Sequence, residues 1–269
     1  MNAFLPRIVY NRAVMRIPSR SYRLMTWNVH HCVGNDRRHS VERIAETIRE
    51  HDPDIVALQE LEVNHRRSGR IHQPSRLADL LKMDYHYHPA RIRGGAGFGN
   101  AVLTRLSMRE VRSGMLPSHP FMRLQKRGAL WMSLNIDGHA VQLINTHFGL
   151  LRRERLLQAR ALCGEGWLDH PECRREPRIV CGDFNATPRS SVYRMLDGTL
   201  RDAMRLAGDP KVRTWPSLLP MVRYDHVFVG HGIEARRVEV PRTRLTLVAS
   251  DHLPVLMEFG VRSSQANNS

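Results

Sequence analysis

Short apolar runs ending in polar or acidic residues recur along this chain, and they alternate with stretches whose apolar positions fall at helical spacing. Leu24 to Val29 is such a run and reads as a strand feeding a site. Ser40 can then cap a helix in which Val41, Ile44, Ala45 and Ile48 share one face, and Asp52-Pro53 ends it. Ile55 to Leu58 reads as a buried strand ending at Gln59-Glu60. Ser75 can cap a second helix with Leu77, Leu80 and Leu81 inward, and the segment before it, Asn64 to Gln73, reads as a basic, glycine-containing loop. Further strands are expected at Asn100 to Thr104, Ala129 to Ile136, Val141 to Thr146, Arg178 to Cys181, Asp225 to Val229 and His252 to Phe259. Helices are expected over Leu151 to Leu162 and Val192 to Leu196. Gly94 to Gly99 either forms a flexible loop or brings Asn100 near a site; its glycine spacing is not that of a dinucleotide-binding turn. Periodicity alone gives a mixed α/β chain. No repeat or Pro/Ser linker divides its middle, so one domain over 23–261 is expected, with a basic extension over 1–22 and a disordered tail over 262–269.

Composition changes this picture only through charge. The 269 residues are 42% hydrophobic and 25% charged, as in an ordinary soluble protein. Lys plus Arg is 41 against 26 Asp plus Glu, a formal net charge of +15, and all but Lys82, Lys126 and Lys211 of the cations are arginines. The arginine preference fits a GC-rich coding bias as well as it fits a polyanion. The net excess fits an anionic partner better, because guanidinium matches phosphate bidentately. The first residues, to Arg23, hold five arginines and no acid, without the apolar core of a signal peptide. No run reaches the roughly 18 apolar residues of a membrane span. A cytoplasmic location is therefore expected. The four cysteines form no C-x-x-C pair; Cys163 and Cys173 could bridge, but free thiols in a reducing compartment are preferred.

The candidate chemistry lies at the ends of the apolar runs. Glu60 follows IVALQ, Asp183 and Asn185 stand in RIVCGDFN, Asp225 in YDHVFV, Asp251 and His252 in SDHLPV, and Asn28 in TWNVH. Acidic groups at buried strand ends cost desolvation energy unless they are paired or hold a cation. Oxygen donors without thiolates select a hard ion, Mg²⁺ or Mn²⁺.

The ordered series TWNVH, LQE, GFGNAVLTR, NTHF, GDFNATP, YDHVFV and SDHLPV resembles the endonuclease/exonuclease/phosphatase superfamily from about Leu24 to Phe259. The resemblance implies an α/β four-layer sandwich, two packed mixed β-sheets flanked by α-helices. It also implies site roles. Glu60 would be the principal metal ligand, with Asp251 supporting the metal and Asn28 holding metal or phosphate. Asp183 would orient or deprotonate the attacking water. Asn185 would bind a phosphate oxygen, with Asn100 as a further substrate contact. Asp225 and His252 would form a hydrogen-bonded pair. His147 matches the histidine that nucleases and sphingomyelinases of the superfamily place opposite the phosphate, which leans away from the abasic-site branch.

The implied activity is a Mg²⁺-dependent phosphoester hydrolase working by in-line attack of water. The substrate is the least specified part. A phosphodiesterase or endonuclease on nucleic acid follows from the charge and from the cation-rich segments around Arg66, Arg67, Arg70, Arg91 and Arg93, and around Arg123, Lys126 and Arg127. Aromatic residues for base stacking are few, at 6%. The alternative is a phosphodiesterase or phosphatase on lipid headgroups or small phosphoesters, with contact to an anionic membrane surface. A non-catalytic binding module on the same fold would predict loss of site residues, and all are present. A monomer is expected. His30, His31, His86, His88 and His226 receive no role, and Arg152, Arg153, Arg155 and Arg160 read as the solvated face of a helix.

Overall fold

The computed structural model describes residues 20–119 and 124–262. Arg123, most of the basic extension and the tail beyond residue 262 lie outside the described residues.

Among the described residues, twelve strands build two six-stranded sheets. They are β1 (Tyr22–Asn28), β2 (Ile55–Val63), β3 (Asp84–Arg93), β4 (Ala96–Thr104), β5 (Met108–Met115), β6 (Gly128–Ile136), β7 (His139–His147), β8 (Arg178–Asp183), β9 (Arg201–Asp202), β10 (Asp225–Val229), β11 (Ile233–Glu239) and β12 (Val255–Val261). Seven α-helices are described: α1 (Val41–His51), α2 (Gln73–Leu81), α3 (Arg152–Cys163), α4 (Pro171–Arg175), α5 (Ser191–Thr199), α6 (Ala203–Ala207) and α7 (Arg244–Ala249). One sheet runs β11-β12-β1-β2-β4-β3 and the other β5-β6-β7-β8-β10-β9. Both mix parallel and antiparallel pairs, as the β1–β2 and β7–β8 ladders are parallel.

Two-residue periodicity sorts the side chains into layers. Leu24, Ala57, Val102, Met132, Leu143, Cys181, Val227 and Met257 pack between the sheets. On the outer face of the first sheet, Met25, Trp27, Val56 and Leu58 pack on Ile44 and Ile48 of α1 and Leu77 and Leu81 of α2. On the outer face of the second, Trp131, Ile144 and Val180 pack on Ala159 and Leu162 of α3 and Val192 and Leu196 of α5. The result is the expected four-layer α/β sandwich.

The eight strands expected from the sequence are the inner strands of the two sheets. The four that the apolar runs did not signal, β3, β5, β9 and β11, are the four sheet edges. An edge strand faces solvent along much of its length, so β3 and β5 are mostly half-buried or exposed and carry no continuous apolar run. Smaller corrections follow local chemistry. Ser75 does not cap α2; the imidazole Nδ1 of His72 accepts from Ser75 N, and the helix begins at Gln73 with Pro74 in its first turn. The glycine-rich segment before Asn100 is a loop only at Gly94 and Gly95, since residues 96–99 pair within β4. The last strand starts at Val255, leaving Asp251 and His252 in the loop before it. Ser40 caps α1 by accepting from Arg43 N, as expected.

Strand β2 continues past its expected end. A bulge between Leu58 and Leu61 inserts a residue, so both leucines face the α1–α2 layer. Glu60 sits inside that bulge at φ 62°, a conformation that non-glycine residues adopt only when surroundings impose it. Below it, Gln59 Nε2 donates to Asn145 Oδ1 at 2.8 Å and Asn145 Nδ2 donates to the carbonyls of Leu58 and Ala101, a buried polar bridge joining the sheets. All four cysteines are unbridged. No helix among the described residues is long and apolar enough to cross a membrane.

Candidate active site

Strand direction collects the polar residues. Parallel β1 and β2 and parallel β7 and β8 finish at one end of the sandwich, and antiparallel β10 and β12 begin there. Asn28, Glu60, His147, Asp183, Asn185, Asp251 and His252 therefore line one cleft of about 690 Å³. Asp225 lies behind His252 and is buried. Asn100 does not line the cleft: its amide donates to Gly128 O at 3.0 Å, so it secures the start of β6 instead of facing a ligand.

Asp183 is the centre of the arrangement. Its Oδ1 accepts from Asn185 N at 2.8 Å, and its Oδ2 accepts from Asn28 Nδ2 at 3.0 Å. The same Oδ2 stands 3.4 Å from His147 Nε2 and 3.7 Å from His252 Nε2. Burial pushes the Asp183 carboxyl up to about 7, with His252 opposing and Asp225 reinforcing the shift. His252 Nδ1 is 2.9 Å from Asp225 Oδ2. Burial opposes the charged form of His252, but the carboxylates of Asp225 and Asp183 outweigh it and hold the imidazolium up to about 10. His147 goes the other way: burial, then Arg127 and His252, keep it well below the usual imidazole range.

Several further residues reach the cleft that the sequence did not place in the catalytic site. His31, at φ 57° within a run of three left-handed residues, sets Nε2 3.2 Å from Glu60 Oε2 and Nδ1 3.3 Å from Glu62 Oε1. Arg127, 4% exposed, places Nη1 2.9 Å from His147 Nδ1. Arg155, expected on a solvated helix face, lines the cleft because α3 is half-buried at that position. Trp215 lines it too and donates from Nε1 to Asp251 Oδ2 at 3.2 Å. A side chain's aim into the cleft depends on tertiary register that no local pattern carries.

The donor chemistry suits a hard divalent cation. Glu60 and Asp251 present carboxylate oxygens to the cleft, and no cysteine lines it. Burial raises the Asp183 carboxyl, and a bound cation would favour its ionised form. Asn28 faces Glu60 Oε1 at 3.3 Å and Asp183 with its amide N–H groups, while its Oδ1 accepts from His30 N. In that orientation it steers the carboxylates. Among the described residues, the one tight group of His and acidic ligand atoms is Asp183, Asp225 and His252. Its shortest contact is the Asp225–His252 hydrogen bond, so it serves proton chemistry better than it would serve as a metal cage.

Comparison with known proteins bears on the fold and the family. No curated protein sequence matches the chain. A structure described as an endonuclease/exonuclease/phosphatase from Beutenbergia cavernae has a TM-score of 0.74 at 24% identity, covering 90% of this chain and 72% of that one. A mannosyl-6-phosphatase from Bacteroides thetaiotaomicron gives 0.71 at 21% identity, covering 88% and 99%. The human Nocturnin catalytic domain with bound sulfate gives 0.68 at 22%, covering 90% and 94%. At these identities the likeness shows a shared fold. The sequence model described as Endonuclease/Exonuclease/phosphatase family matches residues 25–252, and this chain belongs to that family.

Proposed function

We propose that this chain is a divalent-metal-dependent phosphodiesterase that cleaves nucleic acid by in-line attack of water, as a cytoplasmic monomer. The observation that carries the reaction is the placement of Asp183 Oδ2 between Asn28, His147 and His252. Asn28 and the Asn185 N–H orient the Asp183 carboxylate to accept a proton from water. His252, charged and aimed by Asp225, supplies a hydrogen bond and positive charge to the phosphoryl group. Magnesium or manganese held by Glu60 and Asp251 would neutralise phosphate oxygens and the charge developing on the leaving group.

Nucleic acid is favoured by the charge and by a second groove. Arg91, Arg93 and Lys126 line a depression of about 560 Å³ that shares Gln125 with the catalytic cleft. Cation-rich segments distant in sequence thus meet beside the site, where a continuing phosphate backbone would run. A lipid or small-phosphoester reading rests on a different feature. The Trp215–Val222 bridge closes a loop whose Leu218, Leu219 and Met221 are 60%, 71% and 67% exposed, and Leu150 on the cleft rim is 69% exposed. A structural neighbour being a mannosyl-6-phosphatase keeps small phosphoesters in view. The test compares plasmid DNA, RNA, bis-p-nitrophenyl phosphate and phospholipid vesicles in Mg²⁺, with and without EDTA. EDTA-sensitive nicking of DNA or RNA is expected. Lipid cleavage without nicking would replace the nucleic-acid reading by the second, and no turnover of any of the four would contradict the phosphodiesterase proposal.

A further inference from the structure

The two cleft histidines differ in what stands on Nδ1. His252 has a carboxylate there, Asp225 Oδ2 at 2.9 Å. His147 has a guanidinium there, Arg127 Nη1 at 2.9 Å. A guanidinium has N–H donors and no acceptor, so the hydrogen bond is possible only if His147 Nδ1 is bare. Glu60 Oε1, at 3.9 Å, is beyond hydrogen-bond reach as a rival partner for a proton on Nδ1. A neutral imidazole with a bare Nδ1 carries its proton on Nε2.

At Nε2 a donor and an acceptor compete, and the bare Nδ1 decides between them. Asn185 Nδ2 lies 3.2 Å from it, but that amide nitrogen also donates to Phe148 O at 3.0 Å. Turning the Asn185 amide over would set its oxygen against the Phe148 carbonyl. An acceptor does stand nearby, Asp183 Oδ2 at 3.4 Å. Arg127 is itself held in place from behind. Asn100 Nδ2 and Thr146 Oγ1 both donate to Gly128 O, and the Ala129–Thr146 register brings the start of β6, with Arg127 just before it, beside the end of β7 where His147 stands. Arg127 Nε is buried without a hydrogen-bond partner, so this cation is enclosed at a cost that surface placement would have avoided.

We propose that Arg127 is a positioning residue that locks His147 in the Nε2–H tautomer, making His147 a neutral hydrogen-bond donor to the substrate phosphoryl group and leaving proton transfer to Asp183 and His252. The two histidines then have separate duties fixed by opposite partners. The functional half of this assignment rests on the phosphodiesterase reading; the tautomer itself does not.

The experiment is long-range proton–nitrogen correlation of His147 in ¹⁵N-labelled full-length protein at neutral pH without substrate, for wild type, Arg127→Lys and Arg127→Met. The wild type and Arg127→Lys should show a protonated Nε2 and a bare Nδ1, and Arg127→Met should show protonation appearing on Nδ1. With bis-p-nitrophenyl phosphate, Arg127→Met should lower kcat on the order of 10²-fold with a smaller change in KM. Arg127→Lys should recover most of that loss. His147→Gln should lose kcat to a similar extent, and adding Arg127→Met to it should cost little more. A wild-type proton on Nδ1, or an unchanged tautomer in folded Arg127→Met, would overturn the proposal. So would full additivity of the two substitutions. If Arg127→Met fails to fold, the wild-type and Arg127→Lys spectra decide. A wild type with the expected tautomer and no phosphoesterase activity would reject the function while leaving the tautomer assignment standing.

Discussion

His252 Nδ1 stands 2.9 Å from Asp225 Oδ2, and both residues are almost enclosed by protein. Beyond His252, its Nε2 is 3.7 Å from Asp183 Oδ2, so a cationic imidazole lies between two acids. Burial raises Asp183 to about 7, while the two carboxylates overcome burial and raise His252 to about 10. Hydrolysis that needs Asp183 ionised and His252 protonated should therefore rise with pH through about 7 and fall near 10. A bound divalent cation favours the ionised carboxylate and should move the acid limb downward. Asp225→Asn removes the main partner that raises His252, so its alkaline limb should move to lower pH. The kcat profile of wild type and variant on bis-p-nitrophenyl phosphate checks both shifts.

Glu60 and Asp251 bring acidic oxygens to the same cleft. EDTA should abolish turnover and Mg²⁺ or Mn²⁺ should restore it. The same ions should raise the melting temperature of the wild type, because a ligand that binds the folded state stabilises it by mass action. Glu60→Ala should lose the activity and most of the thermal shift. Differential scanning fluorimetry across a Mg²⁺ titration measures this without relying on turnover.

The groove of Arg91, Arg93 and Lys126 should matter only for long substrates. The double substitution Arg91→Ser with Arg93→Ser should raise KM for DNA or RNA and leave the small diester nearly unchanged. Each arginine removed from a phosphate should lower the steepness of log affinity against log salt by about 1. Binding isotherms over a salt series provide the check.

His226 shows how the site loop is tied to stability. It is buried beside Phe184, Tyr193 and Phe228, and its Nε2 meets Ala186 O at 2.8 Å. Burial, then Arg223, lowers it to about 4. The folded state thus binds fewer protons than the unfolded chain between about 4 and the ordinary value of 6.5. Its contribution is present above 6.5 and is lost as pH falls through about 4, up to about 3 kcal/mol in all. Folded His226→Phe should show a flatter dependence of unfolding free energy on pH over that window, measured by urea denaturation.

The sequence was most informative where burial imposes a pattern. Runs such as Ile55 to Leu58 and Arg178 to Cys181 are buried inside a sheet and announce themselves by continuous apolar residues. The edge strand β3, with Pro89 and exposed Arg91 to Arg93, meets solvent and does not. Site acids were legible because they terminate buried runs. His31 was not, since its place arises from left-handed backbone, and Arg127 was read only as one cation of a basic segment, since its contact with His147 depends on how β6 and β7 meet.

Turnover of bis-p-nitrophenyl phosphate in Mg²⁺ by purified, folded His252→Ala, set against wild type, tests the central claim most directly. The site geometry predicts an EDTA-sensitive wild-type rate and a loss on the order of 10²–10⁴-fold in the variant. Near-normal turnover by His252→Ala would contradict it.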